Sequence, residues 1–73
     1  MFNPGDLLRM CSMTEFLNQR PEFINWCYGI YINTVEEIHT YEGFVDCSER
    51  YDRILHSGSI MKCDHHWYLE RVS

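Results

Sequence analysis

The densest set of chemically versatile side chains in this chain is Cys63-Asp64-His65-His66. A thiolate and imidazoles are ligands that zinc prefers, and a closed structural site needs four of them. Cys63 with His65 or His66 offers two, and Cys47, Cys11 or His56 would have to supply the rest. The spacing argues against it. No Cys-x-x-Cys pair and no His-x-x-x-His is present, and adjacent histidines on a strand point to opposite faces. The simpler expectation is no metal and no cofactor, with Cys63 in the core and the histidines in an exposed turn; a zinc-stapled domain is the alternative. Nucleophilic catalysis is less favoured still. Cys63 or Cys47 would need His56 or His65 and an orienting group beside it, and a chain this small offers little concave space. We expect no enzyme and no catalytic residue.

Two other groups of residues point to binding. The carboxylates Glu36, Glu37, Glu42, Asp46, Glu49 and Asp52 are concentrated in the middle third. Such a group keeps a surface solvated, or it steers a basic partner and sets specificity. Eleven aromatic residues are too many for so small a core. Those in register with Trp26 are expected inside, whereas Tyr31, Tyr41, Phe44, Trp67 and Tyr68 are expected at the surface. Aromatic side chains beside carboxylates make a protein- or peptide-binding surface, because Tyr and Trp supply rigid contact area. The candidate protein-binding residues are thus Tyr31, Glu36, Glu37, Tyr41, Phe44, Asp46, Trp67 and Tyr68.

The elements that must position them follow from size and pattern. The chain has 73 residues, with six Lys and Arg against eleven Asp and Glu for a net charge of −5. That length implies a single domain, 1–73, with one thin core, and a hydrophobic fraction of 45% argues against disorder. The acidic balance argues against a nucleic-acid partner, since phosphates are neutralised by Lys and Arg. No apolar run approaches the ~20 residues of a spanning helix, and the first residues lack the features of a signal peptide. A chain kept inside a cell, with no membrane partner and free cysteines, is the expectation.

Along the chain, Pro4-Gly5-Asp6 is turn chemistry, and a first strand follows from Leu7 with Leu8 and Met10 facing the core. Thr14 to Arg20 suits one helical turn, capped by Ser12 or Thr14 and stopped by Pro21. Trp26 to Asn33 is the strongest strand, with Trp26, Tyr28, Ile30 and Ile32 on its expected core face. Gly29, on the other face, signals a bulge or a close backbone approach. Val35 to Tyr41 reads as a continuation or a second, weaker strand, and Glu42 to Glu49 reads as loop. Tyr51 to His56 and Ser59 to Cys63 form a hairpin about Ser57-Gly58. Its register places His56 opposite Ser59, Leu55 opposite Ile60, Ile54 opposite Met61 and Arg53 opposite Lys62. Ile54, Met61 and Cys63 then face inward, the basic pair faces water, and Leu55 with Ile60 makes an outer contact patch. Asp64 to Tyr68 is a tight turn, after which Leu69 to Ser73 would close the sheet. The fold class is mainly β: a small barrel of four to six short antiparallel strands, with one helical turn in an enlarged loop.

Phe2-Asn3-Pro4-Gly5-Asp6-Leu7-Leu8-Arg9 resembles the opening of small SH3-like barrels. Gly29-Ile30-Tyr31-Ile32 takes the place of their second strand, Arg53 to Ile60 is similar to their distal hairpin, and Trp67 to Ser73 resembles their last turn and strand. The combination is most similar to small SH3-like proteins encoded by tailed bacteriophages. Two stretches, Ser12 to Asn25 and Thr34 to Glu49, depart from the compact pattern as enlarged loops. The resemblance implies a fold and a viral origin. Joined to the acidic and aromatic loops, it leads to a module that engages a host or bacterial-defence protein in the host cytoplasm. The alternative is a virion decoration or tail accessory protein with a viral partner, and self-association is left open.

Overall fold

The computed structural model describes residues 1–72. Five antiparallel strands form one sheet: β1 (Leu7–Ser12), β2 (Cys27–Tyr41), β3 (Phe44–His56), β4 (Ser59–Cys63) and β5 (Trp67–Arg71), in the order β4-β3-β2-β1-β5. β4 and β5 remain edges, so the sheet is open and β5 does not close it as the sequence suggested. Between β1 and β2 lie a helix α1 (Met13–Asn18) and a 3-10 turn (Pro21–Phe23). The Ser12 side chain caps α1 by accepting the Glu15 N–H, and Pro21 opens the 3-10 turn at a position where its missing donor costs nothing.

The inner face carries the core. Leu8, Met10, Tyr31, Ile54 and Cys63 are buried, with Phe2, Cys27, Met61, Trp67 and Leu69 packed around them. The expected inward pair on β1 and the inward set on β3 and β4 are therefore in place. The hairpin register is also the expected one at all four pairs from His56↔Ser59 to Arg53↔Lys62. Its turn residues, Ser57 and Gly58, both have positive φ, as a two-residue turn matched to strand twist requires.

The face of β2 is a correction. Gly29 and Tyr31 point inward, while Trp26, Tyr28 and Ile30 lie on the opposite side. A Cβ on Gly29 would lie 2.5 Å from Ile54 Cγ2 and 2.7 Å from the Leu55 carbonyl oxygen. Only glycine lets β2 and β3 approach at that point, so Gly29 faces inward and its neighbours Tyr28 and Ile30 face out. Trp26 is covered there by Arg9, whose guanidinium sits 4.1 Å from the ring centroid and pairs with Glu70. Phe16 stacks on Tyr68 beside it.

The other correction concerns Glu42 to Glu49. It is not loop: Glu42-Gly43 is a second two-residue turn with positive φ at both positions, and Phe44 to Glu49 begins β3. Thr34 to Glu49 is accordingly the far end of a long hairpin rather than an enlarged loop.

Candidate protein-binding arm

β1 pairs with β2 only from Cys27 to Ile30, and β4 pairs with β3 only from Asp52 to His56. Beyond those limits β2 and β3 have each other alone. They continue as a two-stranded arm to the Tyr41↔Phe44 pair, giving the molecule an extent of 48 Å against 28 and 22 Å. The radius of gyration is 14.3 Å, where a compact chain of this length has about 11 Å.

Two irregularities shape the arm. The register shifts between Tyr31 and Asn33, leaving Ile32 as an extra residue on β2, and again between His39 and Thr40, leaving Asp46 extra on β3. Such bulges bend and twist a strand. The first also exchanges the faces of β2, so Asn33, Val35 and Glu37 continue the outer side. At the root of the arm, the Tyr31 hydroxyl donates to Thr34 Oγ1 at 2.6 Å, and Thr34 donates to the Asp52 carboxylate. Tyr31 was expected at the surface; it is 7% exposed and anchors the arm to the core.

Charge is distributed unevenly. Between Thr34 and Asp52 there are six carboxylates and one cation, Arg50, so the segment carries −5. The remaining five carboxylates and five cations cancel, so the whole net charge lies on the arm and on its root, where Asp52 stands opposite Cys63 of β4. Glu37 and Glu49 stand directly opposite each other. The Tyr51 hydroxyl donates to Glu37 at 2.7 Å, which raises the Tyr51 pKa because the phenol proton is held by a carboxylate. His39 Nε2 lies 3.9 Å from Glu37 and 3.7 Å from Glu49, and the three side chains bring their ligand atoms within 4.8 Å of one another. Apolar side chains are exposed along the same element: Ile38, Val45, Tyr41 at 70% and Phe44 at 77%.

Of the residues named from sequence, the arm brings together Glu36, Glu37, Tyr41, Phe44 and Asp46, on strands rather than loops. Trp67 and Tyr68 are half-buried on β5, not in a turn, and contribute to packing. Ile38 and Val45 were missed. The signal for them was Glu42-Gly43, a hairpin dipeptide flanked by β-forming residues.

Of the metal candidates, Cys63 stands apart, while His65 and His66 gather with Asp64, their ligand atoms within 4.8 Å of one another. Cys63 is 2% exposed with its Sγ 3.9 Å from Met10 Sδ, whereas His65 and His66 are exposed in the β4–β5 turn. There the Asp64 carboxylate accepts the His66 backbone N–H and faces its imidazole at 3.1 Å, which lowers the Asp64 pKa. An open groove of about 390 Å³ runs from this turn to Arg50 and Tyr51 on β3, with Lys62 on its wall. Cys11 is buried and Cys47 exposed.

Burial pushes the Cys63 thiol up to about 11 from 9.0. The folded state thus favours the protonated thiol, and its contribution, complete below pH 9, is lost as pH rises towards 11. Stability should fall by about 2–3 kcal/mol across that interval, and Cys63→Ser should flatten the fall in urea titrations at pH 8 and pH 11. Alkylation at pH 8 followed by mass spectrometry should modify Cys47 first and Cys63 only on unfolding.

Among the described residues no helix is long and apolar enough to cross a membrane. No family model, no curated protein and no solved structure matches this chain.

Proposed function

We propose that the chain is a small SH3-like domain of the type that tailed phages encode, and that it binds protein through the β2–β3 arm. The strand order supports the fold assignment: the first strand lies between the second and the last, and β2, β3 and β4 follow as a meander. The binding reading rests on the coincidence, in one projecting element, of five carboxylates against a single cation with exposed Ile38, Tyr41, Phe44 and Val45. A two-stranded ribbon without a covered face is marginal by itself in water, and docking against a partner would supply the missing cover. The complementary partner is a host or bacterial-defence protein with a basic surface surrounding an apolar recess. The carboxylates would accelerate the encounter and fix its orientation, and Tyr41 and Phe44 would hold the complex.

The test is capture from host lysate by the wild-type chain, followed by affinity measurement on the recovered protein. Tyr41→Ser with Phe44→Ser should weaken binding by roughly 30-fold or more, the cost of losing an anchor residue. Raising salt from 50 to 500 mM should slow association at least tenfold with little change in dissociation. A partner held equally well by the double variant would show that the arm is not the docking element.

A further inference from the structure

The outer face of the sheet carries a feature separate from the arm. Leu7 stands opposite Ile30, Ile30 opposite Leu55, and Leu55 opposite Ile60. Val72 extends the line, its N–H bonding to the Leu7 carbonyl. Five aliphatic side chains thus form a single row across the whole width of the sheet, each 38–45% exposed. Tyr28, two residues before Ile30 on the same face, adds a half-exposed ring. Together they present on the order of 500 Å² of apolar surface, the upper end of what monomers leave uncovered.

We propose that this row is a self-association face, occupied by a second copy of the chain. Area is the first argument. Two copies of the row would bury roughly 1,000 Å² together, the low end of specific interfaces, where weak dimers lie. Charge is the second. Outside Thr34–Asp52 the molecule has as many cations as carboxylates, so two bodies can approach without net repulsion. The rim of the row is polar on both flanks, the Arg9–Glu70 ion pair on one side and Arg53 with Lys62 on the other, which confines close contact to the aliphatic centre. Two arms of like charge must stay apart. A twofold axis along the row achieves this: each side chain meets its own copy, and the arms project in opposite directions. An axis along the strands would lay the two arms together.

Sedimentation equilibrium on the full chain should show twice 8.8 kDa at about 100 µM and above, the weak range for a contact of this size. Ile60→Glu, and separately Leu7→Ser, should raise the dissociation constant at least ~100-fold and ~10-fold respectively, since one buries a charge and the other trims contact area. Both sites are exposed, and circular dichroism should confirm an unchanged fold. Tyr41→Ser with Phe44→Ser should leave the dimer intact, which separates this face from the arm. Ile60→Cys should form an interchain disulfide readily under mild oxidation, and native Cys47 should not. A chain that stays monomeric at 1 mM, a dimer indifferent to Ile60→Glu, or one lost with the arm-tip residues overturns the proposal. Cys47 cross-linking in place of Ile60→Cys overturns the arrangement of the two copies.

Discussion

Ile54→Ala should remove about 4 kcal/mol of stability, within the range found for fully buried aliphatic residues. A domain of this size has on the order of 4–11 kcal/mol in total, so the variant should be largely unfolded near 37 °C. The size of the effect follows from the position. Ile54 is completely buried on β3, opposite Tyr31 on one side and Met61 on the other, in a core cluster of five buried residues. With so few neighbours, the cavity has little around it that can collapse inward. Leu55→Ala is the matched control. It is the next residue on the same strand, but it faces the other way and is already 41% exposed, so its loss should cost under ~1 kcal/mol. Urea denaturation at low micromolar concentration measures both. A larger effect at Leu55 than at Ile54 would mean that the faces of β3 have been assigned the wrong way round.

That comparison reflects what could and could not be read from the chain. The hairpin from Tyr51 to Cys63 was legible pair by pair because its register follows from local facts: a Ser-Gly turn, and the cost of burying Arg53 and Lys62. Leu8 and Met10 were legible for the same kind of reason, with Arg9 between them needing solvent. β2 was misread because both of its faces carry strand formers. Period-two patterning identifies a strand but not its core side when Trp26, Tyr28 and Ile30 alternate with Cys27, Gly29 and Tyr31. What decides the matter is the approach of Ile54 and Leu55 to Gly29, residues some 25 positions later in the chain. The loop assigned to Glu42–Glu49 failed differently. Its charges and small polar residues mimic a loop, yet they suit a ribbon that is solvated on both faces.

The candidate site was legible as composition and not as shape. Glu36, Glu37, Tyr41, Phe44 and Asp46 were identifiable as binding residues from type and clustering. Their common location on one projecting element depends on where β1 and β4 stop pairing, which no local signal reports. The outer row is further from sequence still. Leu7, Ile30, Leu55 and Ile60 become neighbours only once three independent registers are known, although the Leu55–Ile60 half of it was already implied by the hairpin.

Gly29→Ala should cost about 3 kcal/mol, the upper part of the range for overpacking, and lower the melting temperature by roughly 12–24 °C in a chain of this length. The added methyl would fall 2.5 Å from Ile54 Cγ2, 2.7 Å from the Leu55 carbonyl oxygen and 3.1 Å from Met10 Cε. Met10 can swing aside, but the carbonyl belongs to a paired strand and cannot move without separating β2 from β3. A double-mutant cycle resolves the two obstacles. Ile54→Ala removes Cγ2, so Gly29→Ala introduced into that background should cost less than it does alone, with a coupling of about 1 kcal/mol, as expected for residues in contact. The remainder, owed to the Leu55 carbonyl, should persist. Full additivity would place Gly29 away from Ile54 and return the outer face of β2 to the core. The same crossing connects stability to the arm. Gly29 lies three residues before the Ile32 bulge, where β2 exchanges faces and leaves the body. Spreading the strands there should loosen the Tyr31–Thr34–Asp52 relay at the arm's root. Amide exchange in Gly29→Ala should therefore quicken at Thr34 and Asp52 by more than at Leu8, an asymmetry that uniform destabilisation of the core would not produce.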